Sequence, residues 1–259
     1  MSAVDVHADV SGAADAPVVV LVNSLGTDHT MWDPQVAALA ADHRVVRYDT
    51  RGHGRSPVPE GPYHLDDLGG DLVALLDRLD VARAAGVVGI SLGGLTALWL
   101  AAHHPHRVER VVLANTAARV GTREGWEDRA ALVRREGMGA VADAVIERFL
   151  SPGFRSADPD TTTRLRERLR SLDPEGYAAC CEALATADLR AVAGEVAVPA
   201  LIVGGTEDVA TPVDDAQWLA GRLPHAELVV LPGAGHLSSI EQPEAFTGQV
   251  LAFLTEAAT

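Results

Sequence analysis

A chain of 259 residues, 47% of them hydrophobic, is long enough to bury one full-sized core. Its formal net charge of -15 argues against binding to a phosphate backbone, so we expect no nucleic-acid partner. The same charge repels small anions, so a site for an anionic ligand needs a local cation or a cluster of hydrogen-bond donors.

The cysteine content and the hydropathy pattern indicate a compartment. The two cysteines, Cys180 and Cys181, are adjacent, and a disulfide between neighbouring residues would be strained. Residues 1–10 lack the basic flank and the apolar run of a signal peptide, and no stretch has the length and apolarity of a membrane span. We therefore expect a cytoplasmic protein that has no disulfide framework and no membrane partner.

Apolar runs rich in valine and isoleucine alternate with helical segments along most of the chain. This alternation is typical of parallel strands joined by crossover helices. The predicted strands span residues 18–22, 44–48, 85–90, 108–113, 199–204 and 227–231. The predicted helices span residues 31–41, 64–79, 92–104, 212–223 and 242–255. The order predicts an α/β fold with a doubly wound, mostly parallel sheet.

Residues 122–189 interrupt this alternation. They contain amphipathic helical segments at 126–136 and 161–172 but no convincing strand. We interpret them as a helical cap inserted into a core formed by residues 1–121 and 190–259. An insertion between two strands at the carboxyl end of the sheet would cover the crevice in which open α/β sheets bind ligands.

Ser91 lies between a predicted strand and a predicted helix, in the run Gly89-Ile90-Ser91-Leu92-Gly93. This strand–turn–helix context is the one that a nucleophile elbow needs. Gly89 and Gly93 lack the Cβ atoms that would clash in so sharp a turn, and the helix N-terminus directs amides toward an oxyanion. We predict that Ser91 is a catalytic nucleophile. The alternative is an ordinary N-cap serine in a glycine-rich turn.

A serine nucleophile needs a base, and the base needs an orienting acid. His236 follows the last predicted strand in a loop of small residues, and Asp208 follows the strand before it. The chain order Ser, Asp, His is the one found with nucleophile elbows of this kind. We predict Asp208 and His236 as the partners of Ser91. Glu207 is the neighbouring competitor for the acid, and a surface-loop histidine is the alternative for His236.

An oxyanion hole requires two convergent donors. The residue after the nucleophile and the loop after an early strand supply backbone amides in this arrangement, which assigns Leu92 and Leu25. We expect Gly26 to leave room for the substrate. The side chains of Asn23 and Ser24 are candidates for pinning the loop.

With these residues the chain resembles the 3-oxoadipate enol-lactonases of the bacterial β-ketoadipate pathway, which have the α/β-hydrolase fold. The resemblance covers most of the chain. Its most specific part is formed by residues 115–118, Trp126 and residues 173–181. It rests on residues 23–27, 31–33, 47–54, 89–95, 115–118, 126 and 173–181. One departure is Leu92, where methionine is more common, but the donor there is a backbone amide. The loop 49–56 recurs in many α/β hydrolases, and we expect Arg51 to buttress it.

The resemblance implies a serine hydrolase that opens 3-oxoadipate enol-lactone to 3-oxoadipate. Its partner would be a small anionic lactone, and it implies no metal and no organic cofactor. Trp126 and Arg129, one helical turn apart, are candidates for a pocket wall that holds the substrate carboxylate, with Arg134 and Arg135 further along the same segment. A solvated cap surface is the alternative for each arginine.

Other activities and assemblies stay open from the sequence alone. The same three residues would serve a carbon–carbon bond hydrolase of ring-fission products, or a carboxylesterase or perhydrolase. A ligand sensor on a hydrolase scaffold is a further alternative, because a fold does not determine a function. The oligomeric state is undetermined, and a homo-oligomer is compatible with the sequence.

Overall fold

The computed structural model describes residues 2–255, and its strands form one seven-stranded sheet. The strands are β1 (Ala8–Ser11), β2 (Val18–Val22), β3 (Arg44–Tyr48), β4 (Gly86–Ile90), β5 (Val111–Ala114), β6 (Ala200–Gly205) and β7 (Ala226–Leu231). They lie in the order β1-β3-β2-β4-β5-β6-β7, and only β1 pairs antiparallel, with β3. The prediction of a mostly parallel, doubly wound sheet is confirmed.

All six predicted strands are present, and two differences have simple causes. The strand predicted at 108–113 begins only at Val111, because Val108 makes an isolated bridge to Ala84 before the regular pairing starts. β1 is missing from the prediction. It is a four-residue edge strand whose side chains are mostly half-exposed, so its sequence lacks the apolar run of the central strands.

Eleven α-helices surround the sheet within residues 2–255. They are α1 (Asp33–Leu39), α2 (Leu65–Arg78), α3 (Leu92–His103), α4 (Arg123–Glu136), α5 (Ala142–Phe149), α6 (Pro152–Ala157), α7 (Pro159–Arg170), α8 (Pro174–Thr186), α9 (Val213–Arg222), α10 (Ser238–Glu241) and α11 (Pro243–Thr255). The predicted helix 31–41 is two elements, a 3₁₀ turn His29–Trp32 and then α1. Pro34 is tolerated only in a first helical turn, which fixes where α1 begins.

The centre of the sheet is buried on both faces. Every residue of β2 and of β4 is buried, as expected for parallel strands covered by helices on each side. α3 follows β4 directly and is also buried along almost its whole length, which explains why its sequence is apolar on all sides. The junction of β4 and α3, which carries Ser91, therefore lies at the middle of the molecule.

The helices α4 to α8 lie in the chain between β5 and β6. α4 packs against α8, and α5 packs against α7. α8 also approaches the core, since a Cβ atom on Gly176 would lie 2.3 Å from the carbonyl oxygen of Gly52. We propose 122–189 as the boundaries of the cap. Two of its helices match the predicted segments closely, whereas α5, α6 and α8 were not predicted individually.

Both cysteines lie in α8, where they are buried and unbonded to each other. Across residues 2–255, no helix combines the length and the apolarity that crossing a membrane requires.

Candidate active site

The backbone at Ser91 adopts a conformation that serine rarely takes. Its φ is 58° and its ψ is -115°, so the residue lies outside the regions that side chains favour. Its amide donates to the carbonyl oxygen of Ala114 at 3.0 Å, and its own carbonyl oxygen accepts from the Thr116 hydroxyl at 2.7 Å and from the Leu95 amide at 3.0 Å. The surrounding β5 and α3 thus hold Ser91 in the strained turn.

Two glycines make this turn feasible. A Cβ atom on Gly89 would lie 2.1 Å from the carbonyl oxygen of Gly93, and one on Gly93 would lie 2.2 Å from the carbonyl oxygen of Val22. Both distances are far below van der Waals contact with a backbone atom that cannot move away. Glycine at both positions is therefore a steric requirement of the elbow, as its sequence indicates.

Asp208 and His236 form a buried pair at the ends of neighbouring strands. The Oδ2 atom of Asp208 lies 2.9 Å from Nδ1 of His236, and both side chains are almost fully buried. Their loops follow β6 and β7, and the amide of Glu207 donates to the carbonyl oxygen of Ala234 at 2.9 Å. The side chain of Glu207 is exposed, so it does not compete for this position.

The carboxylate of Asp208 is saturated with donors. Its Oδ1 accepts from the amides of Ala210 and Thr211 at 2.8 and 3.0 Å, and its Oδ2 accepts from the Thr211 hydroxyl at 2.8 Å. Burial alone would raise the pKa of Asp208, but the imidazole of His236 and these donors lower it to about 2. The group is therefore ionised at neutral pH and held in one orientation.

Asn115 is a site residue to which the sequence assigned no role. Its Nδ2 donates to Asp208 Oδ2 at 3.0 Å and to the carbonyl oxygen of Gly235 at 3.1 Å, while its Oδ1 accepts from the Ser238 hydroxyl at 2.5 Å. One amide thus joins the loop that carries the acid to the loop that carries His236. Its position directly after β5, at the carboxyl end of the sheet, was the available signal.

The loop after β2 lies beside Ser91. Within residues 2–255, the amides of Leu25 and Leu92 make no hydrogen bond to another group of the protein, so both donors are available to a ligand. Asn23 pins the loop: its Nδ2 donates to the Thr27 carbonyl oxygen at 2.7 Å, and its Oδ1 accepts from the Thr50 amide at 3.1 Å. Of the two candidate side chains for this role, Asn23 makes the stronger contacts.

Gly26 lies where the oxyanion loop meets the cap. Its φ of +79° favours glycine, and a Cβ atom there would lie 2.8 Å from Cδ1 of Leu169 and 3.3 Å from the Tyr177 ring. A side chain at this position would therefore meet the cap, while the glycine itself lines a neighbouring cavity. Its amide donates to Nε2 of His53 at 2.9 Å, a contact that sequence reasoning missed.

One cavity joins these parts. Its lining residues come from the core loops and from α4 and α5: Leu25, Ser91, Val120, Gly121, Trp126, Arg129, Arg148, Phe149, Ala210 and His236. The ring of Phe149 lies 5.2 Å from that of His236. Core loops and cap helices therefore enclose one space around the Ser91 side chain.

Two arginines of the cap face this cavity. The guanidinium of Arg129 lies 4.8 Å from the ring centroid of Trp126, whose indole donates to the Val120 carbonyl oxygen at 2.7 Å. Arg148 of α5 was missed, because α5 itself was not predicted. Among the described residues, no acidic side chain pairs with Arg129 or Arg148.

The other two arginines considered from the sequence lie elsewhere. Arg134 pairs with Glu175 and Glu182 of α8, and Arg135 pairs with its neighbour Glu136 on the surface. Neither lines the cavity. The surface alternative therefore describes both of these residues.

Comparisons with known proteins agree with this architecture. Residues 17–243 match the α/β-hydrolase fold family. The 3-oxoadipate enol-lactonase 2 of Acinetobacter baylyi is 44% identical over 94% of this chain and 90% of its own length. The crystal structure of the enol-lactonase from Burkholderia xenovorans is 47% identical, with a TM-score of 0.95 over 97% of this chain and 96% of its own.

A more distant similarity is to an esterase. A thermophilic esterase from Thermogutta terrifontis, in a malate-bound structure, is 29% identical, with a TM-score of 0.92 over 97% of this chain and 93% of its own. The family match spans well over half of the chain, and the enol-lactonases match it nearly from end to end. The chain belongs to the α/β-hydrolase fold family and, within it, groups with the 3-oxoadipate enol-lactonases.

Proposed function

We propose that this protein hydrolyses 3-oxoadipate enol-lactone to 3-oxoadipate, with Ser91, His236 and Asp208 as its catalytic residues. The observation that carries the proposal is that Ser91 and His236 line the same cavity as Arg129 and Arg148. Neither arginine has an acidic partner among the described residues. The enol-lactonase names of the similar proteins support the choice of substrate. The two cysteines are free, as is usual in a reducing compartment, and this supports a cytoplasmic location.

The proposed reaction is acyl transfer to serine. His236 accepts the hydroxyl proton of Ser91 as its oxygen attacks the lactone carbonyl, and Asp208 holds the imidazole in the tautomer that this transfer needs. The amides of Leu25 and Leu92 stabilise the tetrahedral oxyanion. The leaving group is an enolate, which is less basic than an alkoxide. As the acyl bond breaks, the enolate takes the proton held by His236, which restores the neutral imidazole, and conversion to the ketone favours ring opening.

Water then completes the cycle. His236 removes a proton from a water molecule, the resulting hydroxide attacks the acyl carbon, and the ester bond to Ser91 breaks as the serine recovers its proton. These steps use only groups of the protein and water. The backbone amides that stabilise the first tetrahedral intermediate also stabilise the second.

The substrate carries a carboxylate arm, and the cap supplies cations for it. Arg129 and Arg148 are the side chains of the cavity that carry a positive charge at neutral pH irrespective of their surroundings. A carboxylate between them forms charge-assisted hydrogen bonds, which are stronger than those between neutral groups. In a protein of net charge -15, such a local positive site is needed to attract an anionic lactone.

The test is a spectrophotometric assay with freshly generated enol-lactone, run on the wild type and on Ser91→Ala. We expect turnover by the wild type and none by the variant, whose far-UV circular dichroism should match. A neutral nitrophenyl ester and a ring-fission dienone are assayed beside it. A strong preference for the ester or for the dienone would replace the proposed substrate, and an active Ser91→Ala enzyme would remove the nucleophile.

A further inference from the structure

A buried histidine outside the proposed catalytic residues contacts the oxyanion loop. His53 lies in the loop after β3, is 1% exposed, and accepts the Gly26 amide on Nε2 at 2.9 Å. Because a backbone amide can only donate, Nε2 must be the unprotonated nitrogen of the ring. Nδ1 therefore carries the proton, and it faces the carbonyl oxygen of Arg51 at 3.3 Å.

The loop that carries His53 is itself firmly held. The guanidinium of Arg51 makes two hydrogen bonds to the carboxylate of Asp71, at 2.6 and 2.7 Å, and both side chains are buried. Gly52 lies against Gly176 of α8, at a distance that no side chain on either residue would permit. His53 is thus mounted on a part of the molecule that is fixed from the core and from the cap.

Burial keeps the His53 ring neutral despite the polar and charged groups around it. Burial lowers its pKa, against smaller raising effects from the Arg51 carbonyl and the carboxylates of Asp49 and Asp28. From α8, the thiol of Cys180 lies 3.9 Å from Nδ1, and burial raises the pKa of that thiol, so it is neutral too. The lone pair on Nε2 is therefore available to Gly26 at neutral pH.

We propose that His53 is a positioning residue that holds the oxyanion loop through the Gly26 amide. Leu25 directly precedes Gly26, and its amide is the proposed oxyanion donor. Asn23 ties one side of the loop to Thr50, and His53 ties the other side. Both ties run to the segment after β3, so the direction of the Leu25 amide is set from two sides. The inference rests on the proposed acyl chemistry at Ser91.

Substituting His53 by glutamine or by asparagine tests the roles of its two ring nitrogens separately. His53→Gln places an amide oxygen near the position of Nε2, where it can accept from Gly26. His53→Asn reaches only the Nδ1 position, so the Arg51 contact is kept while Gly26 loses its acceptor. Loss of an oxyanion donor costs about 100- to 1000-fold in rate. Because this donor would be displaced and not lost, we expect kcat of His53→Asn to fall about 10- to 100-fold with KM little changed. The glutamine variant should stay near the wild type.

The matched control is His43→Asn. His43 is also buried and contacts a carbonyl oxygen, that of Leu39, but it lies before β3 at the opposite end of the sheet. Its substitution should lower the melting temperature without lowering kcat. If His53→Asn keeps the wild-type kcat, or if His53→Gln loses as much activity as His53→Asn, the acceptor role is wrong.

The readout does not depend on the proposed substrate. All variants are assayed with a nitrophenyl ester as well as with the enol-lactone, and labelling of Ser91 by a fluorophosphonate is followed in parallel. A wild type that hydrolyses the ester but not the lactone would overturn the substrate, while the His53 comparison would still be decided on the ester. A wild type that is not labelled at Ser91 would overturn both.

Discussion

The two sides of the cavity hold their functional groups differently. On the core side, the Asp208 carboxylate is surrounded by four donors from loop residues and by the imidazole of His236. On the cap side, Arg129 is held by stacking on Trp126. The core groups are buried, and both oxygens of the Asp208 carboxylate accept hydrogen bonds. The cap cations are partly or fully exposed, and acidic partners are missing for them among the described residues. The two sides therefore differ in rigidity as well as in chemistry.

This difference matches a division of labour in the proposed reaction. Acyl transfer requires groups fixed to within fractions of an ångström, which the ends of packed strands provide. Recognition of a carboxylate requires a charge at the right distance, and long side chains on a cap supply it without changing the sheet. On this view, substitutions on the core side lower kcat, and substitutions on the cap side raise KM.

The largest expected effect after loss of Ser91 is that of Asp208→Asn. An asparagine cannot hold His236 in the proton-accepting tautomer, so we expect kcat to fall by about 10⁴, by analogy with serine proteases. Steady-state kinetics with the enol-lactone measure the loss. Glu207→Gln is the control, since this exposed neighbour should leave kcat unchanged. If Glu207→Gln lowered kcat more than Asp208→Asn does, the acid would be Glu207.

A smaller and different effect is expected from Arg129→Met, which keeps an apolar stem and removes the charge. If the substrate carboxylate binds there, loss of a charged hydrogen bond of about 1.5–3 kcal/mol raises KM roughly 10- to 100-fold. Turnover of a neutral nitrophenyl ester should not change. Arg148→Met is tested in the same way, and Arg135→Met serves as the exposed control. If activity on the neutral ester fell equally, these arginines would stabilise the fold and would not bind the substrate carboxylate.

The core side of this comparison could be predicted from the sequence. Ser91 is flanked by glycines that the turn needs, and Asp208 and His236 follow strands whose apolar runs are evident. Parallel strands bring their carboxyl ends to one edge, so residues far apart in the chain must meet there. The role of Asn115 escaped, because an amide that orients an acid has no spacing pattern of its own.

The cap side could be predicted only in part. Trp126 and Arg129 were found by helical spacing. Arg148 lies on α5, whose eight residues are fewer than the window over which helical periodicity is recognised. On the core side, the contact between His53 and Gly26 was also missed, because it joins two loops 27 residues apart and depends on a backbone turn with positive φ at Gly26. Contacts of this kind are set by packing between loops, which periodicity and spacing do not describe.

The smallest expected effect concerns Arg134, which joins the cap helices α4 and α8 outside the cavity. Its guanidinium makes two hydrogen bonds to Glu175, at 2.8 and 2.6 Å, and also contacts Glu182. The groups are largely exposed, so the network should stabilise the fold by about 0.5–1 kcal/mol. We expect Arg134→Met to lower the free energy of unfolding by that amount and to leave kcat and KM unchanged, in contrast to Arg129→Met.

The pH dependence distinguishes this ion pair from simple packing. The hydrogen bonds from Arg134 lower the pKa of Glu175 in the folded state, against a smaller raising effect of burial. The stabilisation is therefore complete above the pKa of an unfolded glutamate and is lost as the pH falls through the lowered folded-state value. Urea unfolding of the wild type and of Arg134→Met, from neutral to acid pH, should show a difference in stability that shrinks toward zero. A difference that stays constant across this range would mean that pairing with the Glu175 carboxylate does not stabilise the cap.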